Sequence, residues 1–228
     1  MINKYLPSAG DAVADIGEGA TVMIGGFGPA GLPYTLVEAL IRQRPRDLTV
    51  INNNAGNGDA GLAALLKAGC VRKMICSFPR QSDSWVFDDL YRRGVVELEL
   101  VPQGNLVARI QAGGSGLGGI FTPTGYGTEL SAGKEIREIE GRHYVFELPL
   151  KADFALIKAQ RADRWGNLVY RKAARNFGPI MAMAATCTIA EVEQRVALGD
   201  LNPEVVVTPG IFVQRVVEVP HHLSRATA

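Results

Sequence analysis

Histidine is scarce: the chain holds three in 228 residues. His221 and His222 fall in a patternless C-terminal stretch, and His143 sits in a hairpin-like segment where a solvated or cross-strand role is expected. A Ser-His-Asp triad or a histidine-based zinc site therefore lacks raw material. Cysteine is equally sparse. Cys70, Cys76 and Cys187 are odd in number and have no metal-type spacing, so they read as reduced core residues. No apolar run is long enough to span a membrane, and residues 1–6 lack the apolar core of a signal peptide. A cytoplasmic protein is expected. An excess of one charge is missing too: 24 Lys and Arg stand against 23 Asp and Glu, for a net charge of +1. Their scatter gives no nucleic-acid footprint and no polybasic membrane patch.

Glycine (26 residues) and apolar residues (47%) are abundant, enough for one large α/β core. Residues 8–16 read as a short helix stopped by Gly17. Residues 20–24 read as a strand, and residues 34–44 as a helix with Leu36, Val37, Leu40 and Ile41 on one face. Between them lies the loop Gly25-Gly-Phe-Gly-Pro-Ala-Gly31. The unit recurs: residues 48–51, 71–76 and 96–100 are strand-like, and helical patterns at 60–68, 85–93 and 106–112 follow them. The alternation of Val96, Leu98 and Leu100 with Glu97 and Glu99 marks a strand near an edge. Four such units predict an open, mostly parallel, Rossmann-like sheet with right-handed crossovers and helices on both faces. Ligands collect outside the carboxyl ends of such strands, and that is where the loops at Gly25–Gly31, Asn52–Gly58, Ser77–Ser84 and Pro102–Gly104 lie.

The stretch from Gly113 to Gly127 contains seven glycines and is either a functional loop or a tightly packed crossing. Beyond it a β-hairpin is expected at 135–139 and 143–148, then a buried strand at 154–159 and a turn at Trp165-Gly-Asn167. Residues 176–185 follow as a helix. Residues 188–192 are strand or helix, undecided by periodicity, and 205–207 and 211–219 are expected as final strands. The whole chain reads as one domain, 1–228, with a flexible tail at 220–228.

The glycine loop satisfies G-x-G-x-x-G between a strand and a helix, a geometry that turns N–H groups and a positive helix end toward an anion. A dinucleotide site also needs an acidic residue at the end of the second strand. Asn52-Asn-Asn54 occupies that place. No Gly-Lys-Ser/Thr follows the glycines, which excludes a P-loop. Ser115 misses the G-x-S-x-G elbow at its last glycine, and Glu18 precedes a strand, on the edge opposite the loops. None of the 23 acidic side chains stands out as a nucleophile. What remains on the loop edge is amide-rich: Asn52, Asn53, Asn54, Asn57, Gln81 and Gln103, with Arg80 as a cation. Such a surface donates hydrogen bonds to a thioester or carboxylate oxygen without attacking it, and each amide taken alone also suits an Asx turn. From the residues, the chain is a binding half-site.

The stretch Gly19-Ala-Thr-Val-Met-Ile-Gly-Gly-Phe-Gly-Pro-Ala-Gly-Leu-Pro33 resembles the α-subunit signature of family I (3-oxoacid) coenzyme A transferases. Asn52-Asn-Asn-Ala-Gly56, Val101-Pro-Gln-Gly104, Ala112-Gly-Gly-Ser-Gly116 and Phe121-Thr-Pro-Thr-Gly-Tyr-Gly-Thr128 continue the likeness. So do Asp163-Arg-Trp-Gly-Asn167 and Arg171-Lys-Ala-Ala-Arg-Asn-Phe177. Cys76–Trp85 and Asn176–Met183 look most like members acting on 3-oxoadipate. The resemblance implies transfer of CoA from succinyl-CoA to a 3-oxoacid, 3-oxoadipate first, with acetoacetate or acetate as alternative acceptors. A non-catalytic acyl-CoA-binding module is the remote alternative. The resemblance also implies covalent, ping-pong catalysis by a glutamate in a Ser-Glu-Asn-Gly motif on a companion β subunit. That motif is absent here. Coenzyme A is then a co-substrate, with no permanent cofactor and no metal. By the same likeness Gln103 faces the nucleophile and holds substrate oxygen, Gly25, Gly26, Phe27, Gly28, Pro29, Ala30 and Gly31 serve coenzyme A, and Asn52 and Asn53 line the site. Arg80 and Gln81 are expected to grip the distal carboxylate of a dicarboxylate.

Overall fold

The computed structural model describes residues 1–219; the expected tail, with His221 and His222, lies outside the described residues. Helix α1 (Ala9–Val13) is shorter than its apolar pattern, and the Ser8 hydroxyl accepts from the Asp11 N–H at its start. Strand β1 (Thr21–Ile24), helix α2 (Tyr34–Gln43), β2 (Leu48–Ile51), α3 (Leu62–Lys67), β3 (Val71–Cys76), α4 (Trp85–Arg92), β4 (Glu97–Leu100) and α5 (Gln103–Gly114) then alternate. After them come β5 (Ile120–Thr122), β6 (Ile136–Ile139), β7 (Arg142–Glu147), β8 (Ala152–Ala162), β9 (Leu168–Val169), α6 (Gly178–Ala184), β10 (Ala185–Arg195) and β11 (Arg215–Glu218).

The main sheet runs β11-β10-β8-β1-β2-β3-β4, and every pair along that path is parallel. Short β9 adds antiparallel to β8. As the alternating glutamates imply, β4 lies at an edge. Strand alternation sends Val22, Ile24, Val50, Met74 and Cys76 into one core, beneath α1 to α4. Met23, Ile51 and Ile75 go into the other, beneath α5 and α6. Burial on both faces explains the near-continuous apolar strands.

A second, antiparallel sheet is ordered β5-β7-β6. Its β6–β7 pair is the expected hairpin, turning at Glu140-Gly141; β5 is an addition hidden inside the glycine-rich stretch. That stretch is a packed crossing. A Cβ at Gly113 would collide with the Leu150 carbonyl oxygen, and one at Gly119 with the Phe146 ring. Residues 188–192 resolve as strand, within β10. The strand expected at 205–207 does not form. Pro203 opens a 3-10 turn there, and only Thr208 bridges to Leu168. Glu18 is on the opposite edge from the loops, exposed and paired with Arg46 at 3.1 Å.

Candidate functional site

The loops leaving β1, β2 and β3, with the first residue of α5 after β4, stand side by side and wall a cavity of about 630 Å³. From the first loop it takes Phe27, Gly28 and Pro29. Phe27 and Ala30 exchange backbone hydrogen bonds (3.0 and 3.3 Å) around Gly28, whose φ of +57° a side chain would resist. This closed turn pushes Phe27 outward, 53% exposed. Gly25, Gly26, Ala30 and Gly31 shape the loop from behind and do not line the cavity.

The N-terminus of α2 differs from its expected role. Its first-turn N–H groups are not free to cradle an anion in the cavity, because a carboxyl group of the protein already occupies them. Glu191 Oε2, on β10, accepts from the Thr35 N–H at 3.0 Å and the Leu36 N–H at 3.2 Å. Lys158 Nζ lies 3.5 Å from Glu191 Oε1, which has no hydrogen-bond partner among the described residues. Burial pushes the Glu191 carboxyl up to about 7, against the pull of Lys158 and the two N–H groups. No sequence motif announced this carboxylate; the one available signal was a lone acid in the apolar run Ile189-Ala-Glu-Val192.

The asparagine run splits into Asx-turn braces and an amide tied to Ser77 and Gln103 at the cavity wall. Asn52 is 1% exposed; its Nδ2 donates to the Ile24 carbonyl at 2.6 Å and its Oδ1 accepts from the Asn54 N–H at 2.8 Å. It ties β2 to β1 from below and lies outside the cavity wall. Asn54 accepts from the Gly56 N–H at 2.8 Å, a second Asx turn, and Asn57 accepts from the Asp83 N–H at 2.9 Å. Asn53 is different. Its Oδ1 accepts from Ser77 Oγ at 2.9 Å and from Gln103 Nε2 at 2.8 Å. The side chain is thereby fixed with Nδ2 left over, unpaired among the described residues, at the cavity wall. Ser77, missed in the sequence, is therefore part of the same network.

Gln103 is the first residue of α5, not part of a loop, and Pro102 precedes it as the cap. Two residues on, Asn105 holds the Phe121–Thr128 segment by donating to the Thr124 carbonyl at 3.2 Å and accepting from Thr122 Oγ1 at 3.2 Å. In the third loop Gln81 reaches the cavity and Arg80 does not. Asp88, one turn into α4, takes the Arg80 Nε–H at 2.7 Å, so the expected cationic grip is drawn away from the site.

The cavity wall carries amides, hydroxyls and two exposed rings, Phe27 and Phe78, and no ionisable side chain. Cys76 ends β3 fully buried, its thiol pushed up to about 12 by burial; burial raises Cys70 and Cys187 as well. Among the described residues no group of His, Cys, Asp or Glu is placed to hold a metal, and no helix is long and apolar enough to cross a membrane. The arrangement can donate hydrogen bonds to an oxygen, and it carries no carboxylate, thiol or imidazole to attack with.

The coenzyme A transferase family model matches residues 6–219. The chain is 67% identical over 219 residues to the A subunit of 3-oxoadipate CoA-transferase from Pseudomonas putida, covering 96% of this chain and 95% of that one. It is 42% identical over 233 residues to the mitochondrial succinyl-CoA:3-ketoacid coenzyme A transferase 2 of Homo sapiens, covering 94% of this chain and 45% of that protein. Among solved structures, glutaconate coenzyme A-transferase of Acidaminococcus fermentans superposes with a TM-score of 0.84 at 21% identity. That match covers 98% of this chain and 78% of the other, a likeness of fold.

Proposed function

The chain belongs to the coenzyme A transferase family, and from that premise we propose that it is the α subunit of a cytoplasmic enzyme that moves CoA from succinyl-CoA to 3-oxoadipate. The observation that carries this is the cavity wall itself. Its amides Asn53 and Gln103 suit an acyl oxygen, and it carries no carboxylate, thiol or imidazole to attack with. The attacking glutamate then comes from a companion β subunit with a Ser-Glu-Asn-Gly motif. Two likenesses support the division of labour: the Pseudomonas putida relative is named as one subunit of its enzyme, and the human relative is about twice the length this chain matches.

In this reading the companion's carboxylate attacks the thioester carbonyl, and CoA leaves as thiolate. The thiolate returns to the glutamyl carbonyl, succinate departs, and 3-oxoadipate takes the CoA by the reverse sequence. This chain's part is electrostatic. Asn53 Nδ2, with Gln103 beside it, donates to the oxygen on which negative charge develops, a contribution of roughly 10²–10³ in rate per well-aimed donor. Phe27, Gly28 and Pro29 form the wall along which the pantetheine arm of CoA lies. Gln81 takes the distal carboxylate.

The test is the purified complex with the companion subunit, assayed for CoA transfer from succinyl-CoA to 3-oxoadipate, acetoacetate and acetate. The expected result is preference for 3-oxoadipate in kcat/KM. Preference for acetoacetate or acetate overturns the acceptor assignment, and no transfer to any acceptor overturns the enzyme reading.

A further inference from the structure

Behind the glycine loop lies a short 3-10 turn, Lys172–Arg175, preceded by Arg171. Arg171, Lys172 and Arg175 are exposed and have no ion-pair or side-chain hydrogen-bond partner among the described residues. Elsewhere, cations next to buried or half-buried acids are paired: Arg109 with Glu99, Lys134 with Glu147, Lys158 with Glu191. Three like charges within five residues repel one another, and no side chain among the described residues pairs with them.

The turn is also fixed in place. Asn176 Nδ2 donates to the Ala30 carbonyl at 2.8 Å and to the Ala173 carbonyl at 2.8 Å. Gly31 faces the turn so closely that a Cβ would collide with the Ala174 carbonyl oxygen. Lys172 holds φ +50°, a conformation that lysine adopts at a cost. A second cavity, about 430 Å³, runs from Gln103 to Asn176 and Phe177. Gln103 and Asn176, the residue that follows Arg175 in the chain, therefore share one cavity.

We propose that Arg171, Lys172 and Arg175 form an anion ledge that takes the phosphates of coenzyme A, the 3′-phosphate and diphosphate of its nucleotide end. This rests on the acyl-CoA reading of the site. A polyanionic nucleotide supplies the counter-charge that the described residues do not, and guanidinium groups fit phosphate oxygens in pairs. The helix end of α2, the other anion site suggested by the loop, is taken by Glu191.

The test uses the complex with the companion subunit, supplied with either of two donors: succinyl-CoA, or succinyl-pantetheine, which lacks every phosphate. In the triple variant Arg171→Gln, Lys172→Gln, Arg175→Gln, KM for succinyl-CoA rises about tenfold or more, while KM for succinyl-pantetheine and both kcat values stay within about twofold. Raising salt increases the wild-type KM for succinyl-CoA and leaves that of the variant nearly flat. Arg175→Gln alone moves in the same direction and guards against misfolding of the triple variant. Equal KM for succinyl-CoA in wild type and variants overturns the ledge. So does an equal loss with both donors, which marks a structural role. Loss of co-elution with the companion also overturns it, in favour of an interface between the two chains. No transfer by the wild-type complex would instead remove the reading on which the ledge rests, and the ledge with it.

Discussion

Gln103 Nε2 donates to Asn53 Oδ1 at 2.8 Å, joining residues 50 apart in sequence. Ser77 Oγ donates to the same oxygen at 2.9 Å. The two bonds hold the Asn53 side chain at the cavity wall, with its Nδ2 group unpaired among the described residues. Removing either amide disables the same device. Asn53→Ala and Gln103→Ala are each expected to lower kcat/KM by roughly 10²–10³, with the double variant losing little more than the worse single one. Steady-state kinetics over the four enzymes checks this; strictly multiplicative losses would mean that the two amides act independently. Ser77→Ala is expected to fall in the same direction, with activity restored by Ser77→Thr.

Two neighbours differ in their access to the cavity. Arg80 is paired with Asp88 and lies outside the cavity wall, whereas Gln81 lies on it. Arg80→Ala is expected to change KM for 3-oxoadipate and acetoacetate alike, by less than about twofold, the scale of an exposed ion pair. Gln81→Ala is expected to raise KM for 3-oxoadipate selectively. A selective effect from Arg80→Ala would show that the Asp88 pair opens when the dicarboxylate binds.

Glu191 makes folding stability depend on pH. Its folded carboxyl sits near 7, above the ordinary glutamate value of 4.5, so the native state holds a proton that the unfolded chain releases. The resulting stability is full below about pH 4.5 and is lost as pH rises through about 7, on the order of 3 kcal/mol in all. The groups facing it are Lys158 and the Thr35 and Leu36 N–H donors. Denaturant titrations at pH 5, 6, 7 and 8 are expected to show wild type losing stability relative to Glu191→Gln across this window. Parallel curves would place the Glu191 ionisation outside it.

Gly31 combines φ +79° with an approach to the Ala174 carbonyl that a methyl group cannot share. Gly31→Ala is expected to cost at least ~2 kcal/mol of stability, measured by chemical denaturation. Gly28 has a similar φ of +57° but open space around it, so Gly28→Ala is expected to cost less than Gly31→Ala. Equal losses would mean that backbone strain alone sets both.

The parallel sheet was legible because its strands are local. The run Leu48–Ile51 is apolar from its burial on both faces, and its bounds match the observed strand. The hairpin at Glu140-Gly141 carries its own turn chemistry. Elements that depend on distant pairing were not legible: β5 exists because Phe121 meets Phe146, and β10 because Ala190 lies beside Ile157. Conversely, the apolar run Val205–Val207 finds no ladder and stays irregular. At the site, the strand ends themselves put Asn53, Gln81 and Gln103 on one cavity, while the likeness to a family singled out Gln103. Neither could sort Asn52 from Asn53, since a single residue along the chain separates a buried brace from a cavity donor. Arg80 and the α2 N-terminus were misplaced because their partners, Asp88 and Glu191, answer to tertiary structure.

The most direct test asks which chain becomes covalently loaded. The complex with the companion subunit is incubated with succinyl-CoA, without acceptor, and the intact mass of each of the two chains is measured. This chain is expected to keep its mass while the companion gains one coenzyme A, held as a thioester. A coenzyme A adduct on this chain, and none on the companion, would contradict the account.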